Sequence, residues 1–307
     1  MGVLLTAAAI VIATSVGIWS ERRWPAAAAE AARKALVLIL YFLLPPVIFF
    51  NLAAANIDLD HGVGIGLALV ALALTSTLVW FISSRVLKLP RHQVGAMICT
   101  VLVVNTGYLG YPMTVALLGR DQLSTAVLYD VLVSGPGLLL GAFAVGAAFG
   151  TKAGESPRQR VGAFFTRNPP LYAAIAGLLA PSALAPDSLV DISQALVVAI
   201  LPIGFFAVGA TLAEGAEHGE LPMPPPLNRQ VLLSLAGRLA IAPALLMLLA
   251  APLIDLPAAY RLLAAMPTGL NAMVVSHAYG LDNQIVAEAV VWSTAIVVAA
   301  ALVSLAF

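Results

Sequence analysis

The sequence predicts an all-α polytopic membrane protein: ten transmembrane helices in two inverted five-helix repeats, with helices four and nine broken. Three observations predict it: an extreme composition, ten apolar runs of bilayer length, and two pairs of matching segments. The 307 residues are 61% hydrophobic and 10% charged, with a mean hydropathy of +1.00. An average soluble domain is about 45–50% apolar and roughly 25% charged. A soluble chain near 300 residues buries only about 75% of its surface, too little to hide this much apolar area. Fifteen Lys and Arg balance fifteen Asp and Glu. A soluble enzyme, a disordered chain and a nucleic-acid binder are excluded on these grounds. Cys99 is the single cysteine, so there is no disulfide framework and no thiolate metal site.

A helix that crosses a bilayer needs about 20 predominantly apolar residues. Such runs lie at roughly 2–20, 35–56, 62–83, 94–118, 123–150, 169–183, 189–213, 230–254, 258–279 and 284–307. The first lacks the basic leader of a signal peptide and reads as a retained helix. Between the first two, the charged, Ala-rich stretch Glu21–Lys34 reads as a helix lying on the membrane surface. The sixth run is short and bounded by Pro169, Pro170 and Pro181. Residues 1–150 then form the first repeat, 151–168 a cytoplasmic linker and 169–307 the second repeat.

Charge orients the bundle. Alternate loops place Arg22, Arg23, Arg33, Lys34, Arg85, Lys88, Arg91, Lys152, Arg158, Arg160, Arg167 and Arg229 on one side. Only Arg120 and Arg261 fall on the other. Cytoplasmic loops carry the excess of Lys and Arg, so both termini are expected outside the cytoplasm of a bacterial inner membrane.

The repeat rests on two matches. Pro46-Val47-Ile48-Phe49-Phe50-Asn51 resembles Pro202-Ile203-Gly204-Phe205-Phe206-Ala207, and Asn105-Thr106-Gly107 corresponds to Pro267-Thr268-Gly269. An odd number of spans per half inverts the second half, a common design in secondary transporters. The fourth run, Asn105-Thr106-Gly107-Tyr108-Leu109-Gly110-Tyr111-Pro112, and the ninth, Met266-Pro267-Thr268-Gly269-Leu270-Asn271, are poor helix sequence at mid-membrane. Freed backbone groups survive there only in protein or beside a wet cavity. Half-helices starting at Pro112 and Pro267 would present unpaired N–H groups, which attract anions. Asn105 and Asn271 would add amide donors, and Asn51, Tyr108 and Gly269 complete the expected binding set.

The span-two stretch from Pro46 to Asn56, and Asn105-Thr106 with Gly110-Tyr111-Pro112, resemble the auxin efflux carrier family, which includes the plant PIN transporters and many bacterial permeases. Span seven (Phe206-Ala207-Val208-Gly209) and span nine (Pro267-Thr268-Gly269) fit the same pattern. The resemblance implies inverted repeats that cross at Pro112 and Pro267, elevator-like movement, and an organic anion held beside the crossover, with Asn105 at the substrate-contacting asparagine. The compact chain lacks the long central loop of the plant members, and several bacterial members carry malate or malonate.

Four ionisable residues fall within spans, where they are costly and mark function by default. Asp130 carries a coupling proton or holds a helix break. Arg238 faces a carboxylate substrate or pairs with Asp130 or Glu288, the pair being preferred. His277 is a group titrating near neutral pH or a solvated interfacial histidine, the second being preferred, and Glu288 is read as reaching the interface; the four together are the expected coupling or support residues. The expected function is transport of an organic anion, such as a dicarboxylate or auxin-like acid, by alternating access. No cofactor, metal or nucleic acid is expected. The partners are the substrate and the lipid bilayer, with a homodimer left open. The alternatives are a sodium-coupled symporter of the bile-acid transporter type and an intramembrane enzyme.

Overall fold

Every apolar run is built around helix in the computed structural model, which describes residues 3–55, 57–151, 169–217 and 225–303. In chain order the helices are α1 Val3–Arg23, α2 Pro25–Ala53 and α3 Leu59–Val86, α4 Arg91–Leu102, and α5, residues 106–117. Then come α6 Arg120–Phe149, α7 Pro169–Leu179, α8 Asp187–Glu217 and α9 Arg229–Ala250. The chain ends with α10 Ala258–Ala264, α11 Asn271–Tyr279 and α12 Asn283–Val303. Among the described residues there is no strand beyond one isolated bridge. Seven helices are long and apolar enough to cross a membrane, and α7 is a shorter apolar helix. The fourth and ninth runs are each interrupted, giving α4–α5 and α10–α11. Residues 152–168, most of the expected linker, lie outside the described residues.

The expected surface helix at Glu21–Lys34 is not a separate element. Helix α1 continues through Arg23, the chain breaks at Trp24, and Pro25 opens α2. From there α2 runs to Ala53. Its charged part is amphipathic: Ala28 and Ala32 are buried, Ala32 in a cluster with Ala207 and Ala210 of α8, while Glu30 and Lys34 pair in solvent. The small residues on that stripe are what draw it onto a neighbouring helix.

Two groups of helices pack internally. Helices α1, α2, α7 and α8 form one; α3, α4, α6, α9 and α12 form the other, with α10 and α11. In the first group α1 and α8 meet backbone to backbone. A Cβ on Gly17 would stand 2.2 Å from the Phe206 carbonyl oxygen, and one on Gly209 would stand 2.2 Å from that of Thr14.

Proline shapes the long helices in a regular way. Of the six wide π-turns among the described residues, four, Ile39–Leu43, Thr106–Gly110, Asp130–Ser134 and Ala236–Ile241, stop two residues before a proline, namely Pro45, Pro112, Pro136 and Pro243; Ile82–Val86 and Gly137–Ala142 do not. A proline ring clashes with the carbonyl four residues earlier. Here those carbonyls, on Tyr41, Tyr108, Leu132 and Leu239, all lie inside the wide turn, so the helix continues. The π-turns also carry Asp130 and Arg238, in keeping with the frequent occurrence of such bulges at functional sites.

Candidate substrate site at the helix crossing

The two interruptions meet. Helix α4 ends at Leu102 and the chain extends through Val103; α10 ends at Ala264. Val104 pairs with Thr268 in an antiparallel bridge. Asn105 N–H donates to the Pro267 carbonyl at 2.8 Å, and Gly269 N–H to the Val103 carbonyl at 2.9 Å. Four further backbone groups near the crossing are satisfied by side chains. The Thr268 hydroxyl donates to the Thr100 carbonyl at 2.8 Å, and Thr268 N–H to Ser293 Oγ at 3.2 Å. Arg238 donates from Nη1 to the Val101 carbonyl at 2.9 Å and from Nη2 to the Ala264 carbonyl. At membrane depth each such group left unpaired would cost several kcal/mol, so this accounting is what permits two broken helices to exist. Gly269 suits the close approach: a Cβ there would lie 3.0 Å from the Val104 carbonyl oxygen, a tight contact that needs the neighbouring backbone to give by a few tenths of an ångström.

The expected position of the first break is thereby corrected. Pro267 lies at the crossing, but Pro112 is seven residues past Asn105, buried in the first turn of the α-helical part of α5. A proline is equally at home opening a helix and breaking one; here the π-turn before it keeps α5 continuous.

Beside the crossing is a cavity of about 210 Å³. One wall comes from the first helix group: Leu40, Leu44 and Ile48 of α2, and Pro170, Leu171 and Ala174 of α7. The other consists of residues that follow the two interruptions, Asn105 to Tyr108 and Gly269 to Asn271, together with Asp130, Ser134 and their neighbours on α6. The starts of α5 and α11 thus both open on the cavity. Asn105 is buried and lines the cavity; its Oδ1 accepts from Leu109 N–H at 3.2 Å, which leaves the Nδ2 amide as its donor. Asn271 is exposed at the mouth. Asp130 accepts from the Thr106 hydroxyl and, at 2.5 Å, from the Tyr111 hydroxyl. One turn away, Ser134 Oγ is buried without a hydrogen-bond partner among the described residues.

Of the expected site residues, Asn105, Tyr108, Gly269, Asn271 and Asp130 line this cavity; Asn51, Pro112, Pro267, Arg238, His277 and Glu288 do not. Asn51 is buried in a polar knot joining α2 to α6 and α8. It donates to the Val47 carbonyl at 2.8 Å and to Ser193 Oγ at 3.2 Å, and accepts from Ser124 and Gln194. Arg238 forms no carboxylate pair among the described residues; freed helix carbonyls take Nη1 and Nη2, and Nε is buried with no partner there. Glu288 is not interfacial but fully buried. Gln284 donates to it at 2.7 Å and Asn228, which caps α9, at 3.1 Å. His277 is exposed, with Asn283 Nδ2 3.4 Å from its Nδ1. Sequence reasoning did not single out Thr106, Tyr111 or Thr268 as anchors. The hydroxyl residues flanking Asn105 and Pro112, and the Thr after Pro267, were the available signal.

An apolar helical bundle with two interrupted helices crossing beside a largely apolar cavity that holds a few polar groups is the build of a membrane transport protein. The comparisons agree: a sequence profile described as membrane transport protein matches residues 3–138 and 164–305. The chain belongs to that family, the auxin efflux carrier-like transporters. It is also similar to an uncharacterized transporter of Methanocaldococcus jannaschii, with 28% identity over 102 residues, which is 33% of this chain and 32% of that protein. The match thus spans about a third of the length of the curated relative.

Proposed function

We propose that the protein is a secondary transporter of a small organic carboxylate that works by elevator-type alternating access in the bacterial inner membrane. On this reading ten spans form two inverted five-helix repeats, and both termini lie outside the cytoplasm. The observation that carries the substrate class is the convergence of the α5 and α11 starts on one cavity, with the Asn105 amide between them. A helix N-terminus behaves as roughly half a positive charge, so two of them offer an anion about one compensating charge. Among the lining residues there is no Lys, Arg or His. The size points to a small acid, since 210 Å³ falls below the roughly 300–1,000 Å³ of sites for drug-sized ligands. The elevator reading is supported by the walls: one helix group supplies the apolar face, and the group with the crossing supplies the polar one. The second group is therefore the moving part.

Asp130 sets the coupling. When ionised, it cancels the field of the two helix ends; when protonated, it leaves that field for the substrate. The transported anion therefore binds with a proton on Asp130. Thermal unfolding of the purified protein against monocarboxylates, dicarboxylates and indole acids tests the class, because a ligand of the native state raises its stability. Small acids should stabilise, more so at lower pH. Stabilisation by organic amines and not by acids would overturn the assignment.

A further inference from the structure

The crossing has a second side. Residues after each interruption face the cavity, whereas those before it, Val101 of α4 and Ala264 of α10, face Arg238. Arg238 is 1% exposed, and among the described residues no carboxylate lies within ion-pair distance of it. Two freed helix carbonyls take its Nη1 and Nη2, while Nε is buried with no partner among the described residues. Each helix C-terminus carries roughly half a negative charge, so the ends of α4 and α10 together balance one cation. In transporters with broken helices, such C-terminal ends and the unwound carbonyls beside them are where a coupling sodium ion is held.

We propose that Arg238 is a tethered cation that permanently fills the cation seat of the crossing, so that the protein binds no alkali metal ion there and its transport is independent of sodium. This rests on the transport reading only for its consequence in flux; the occupancy of the seat is a property of the folded protein alone. The side chain is suited to the task because a planar guanidinium reaches two carbonyls at once and keeps its charge when buried. It sits in the π-turn Ala236–Ile241, set up by Pro243, on α9 rather than on either crossing helix. One side chain therefore ties both C-terminal ends to a third helix.

The test is thermal unfolding of the purified full chain with sodium, potassium or choline chloride at equal ionic strength, for the native protein and for R238A, R238K and R238M. The native midpoint should not change between the three salts; a rise specific to sodium overturns the proposal. R238A should unfold at lower temperature and regain part of the loss in dilute guanidinium chloride or in sodium chloride, with no such gain in choline. R238A indifferent to both cations would mean that the position is packing alone. Should R238A not accumulate, the other two variants decide: Lys keeps the charge and Met keeps only the volume. R238K is expected to be the more stable, and R238M equal to it or better overturns the idea. None of these readouts involves substrate, so failure here is distinct from failure of the anion reading.

Discussion

Asn105 has two tasks that can be separated by substitution. Its Oδ1 accepts from Leu109 N–H and so caps α5, while on the proposed reading its Nδ2 amide donates to the substrate. Asn105→Ala removes both. Loss of a helix cap costs about 1 kcal/mol, and loss of a hydrogen bond to a charged ligand costs about 1.5–3 kcal/mol. The second figure corresponds to roughly a 10- to 150-fold weaker affinity. Asn105→Asp keeps the capping acceptor, removes the donor and sets a carboxyl group in a cavity that already holds Asp130. Its affinity for an acid should therefore fall by more than that of the Ala variant, while its native fold should lose less.

The assay is isothermal titration of the purified variants with the acid that best stabilises the native protein, paired with thermal unfolding in the absence of ligand. The expected pattern is crossed: Ala lowest in stability, Asp lowest in affinity. If Asn105→Asp binds the acid as tightly as the native protein does, Asn105 does not face the anion and the substrate assignment loses its main support. Selective tightening for amines in the Asp variant would reverse the sign of the site.

Other substitutions have definite outcomes. Asp130→Asn should leave substrate binding in place and flatten the pH dependence of uptake in proteoliposomes, which for the native protein should rise as the outside is acidified; a native flux indifferent to pH removes the proton. Thr268→Val leaves the Thr100 carbonyl unpaired at membrane depth and should lower stability by about 1–3 kcal/mol, read by denaturant unfolding in detergent. Gly209→Val pushes a branched side chain into the Thr14 carbonyl and should separate α1 from α8, seen as faster proteolysis between α1 and α2. At the start of α3, the backbone and ring of His61 hold the Asp58 carboxyl below its ordinary value. The cap's contribution is therefore present above the usual aspartate range near 3.9 and lost as pH falls through it and on to the lowered folded value. In Asp58→Asn this part of the acid sensitivity should disappear, as followed by unfolding midpoints across pH.

Much of the architecture was legible because lipid imposes a coarse rule: backbone must be paired within helices, and length sets the span. The apolar runs follow from that, and so do the two interruptions, where Asn, Gly and Pro accumulate at membrane depth. What was not legible is how the polar groups pair across the fold. Arg238 invited a carboxylate partner because full charges are the visible ones in a sequence; two half-charges at helix ends are created only when α4 and α10 stop together. Pro112 was placed at the break for a similar reason. Its neighbour carbonyl at Tyr108 sits in a π-turn, and no local signal distinguishes a proline accommodated in that way from one that ends a helix. Asn51 shared a motif with the transport family but is spent on Ser124, Ser193 and Gln194, contacts that depend on α6 and α8.

These misplacements have a common physical basis, and it bears on mechanism. A helix interrupted in the membrane exposes donors after the break and acceptors before it. Two such helices crossed antiparallel gather both donor ends on one side and both acceptor ends on the other. The acceptor side is closed by Arg238 and Thr268, each supplied so as to satisfy a named carbonyl. The donor side is left partly open, with the Asn105 amide and the Ser134 hydroxyl uncommitted and Asp130 held by Thr106 and Tyr111. A fixed cation on one side and a titratable carboxyl on the other mean that only the cavity side can change its charge. On the transport reading proposed above, the step that responds to substrate is set on the cavity side, with the Arg238 side as its support.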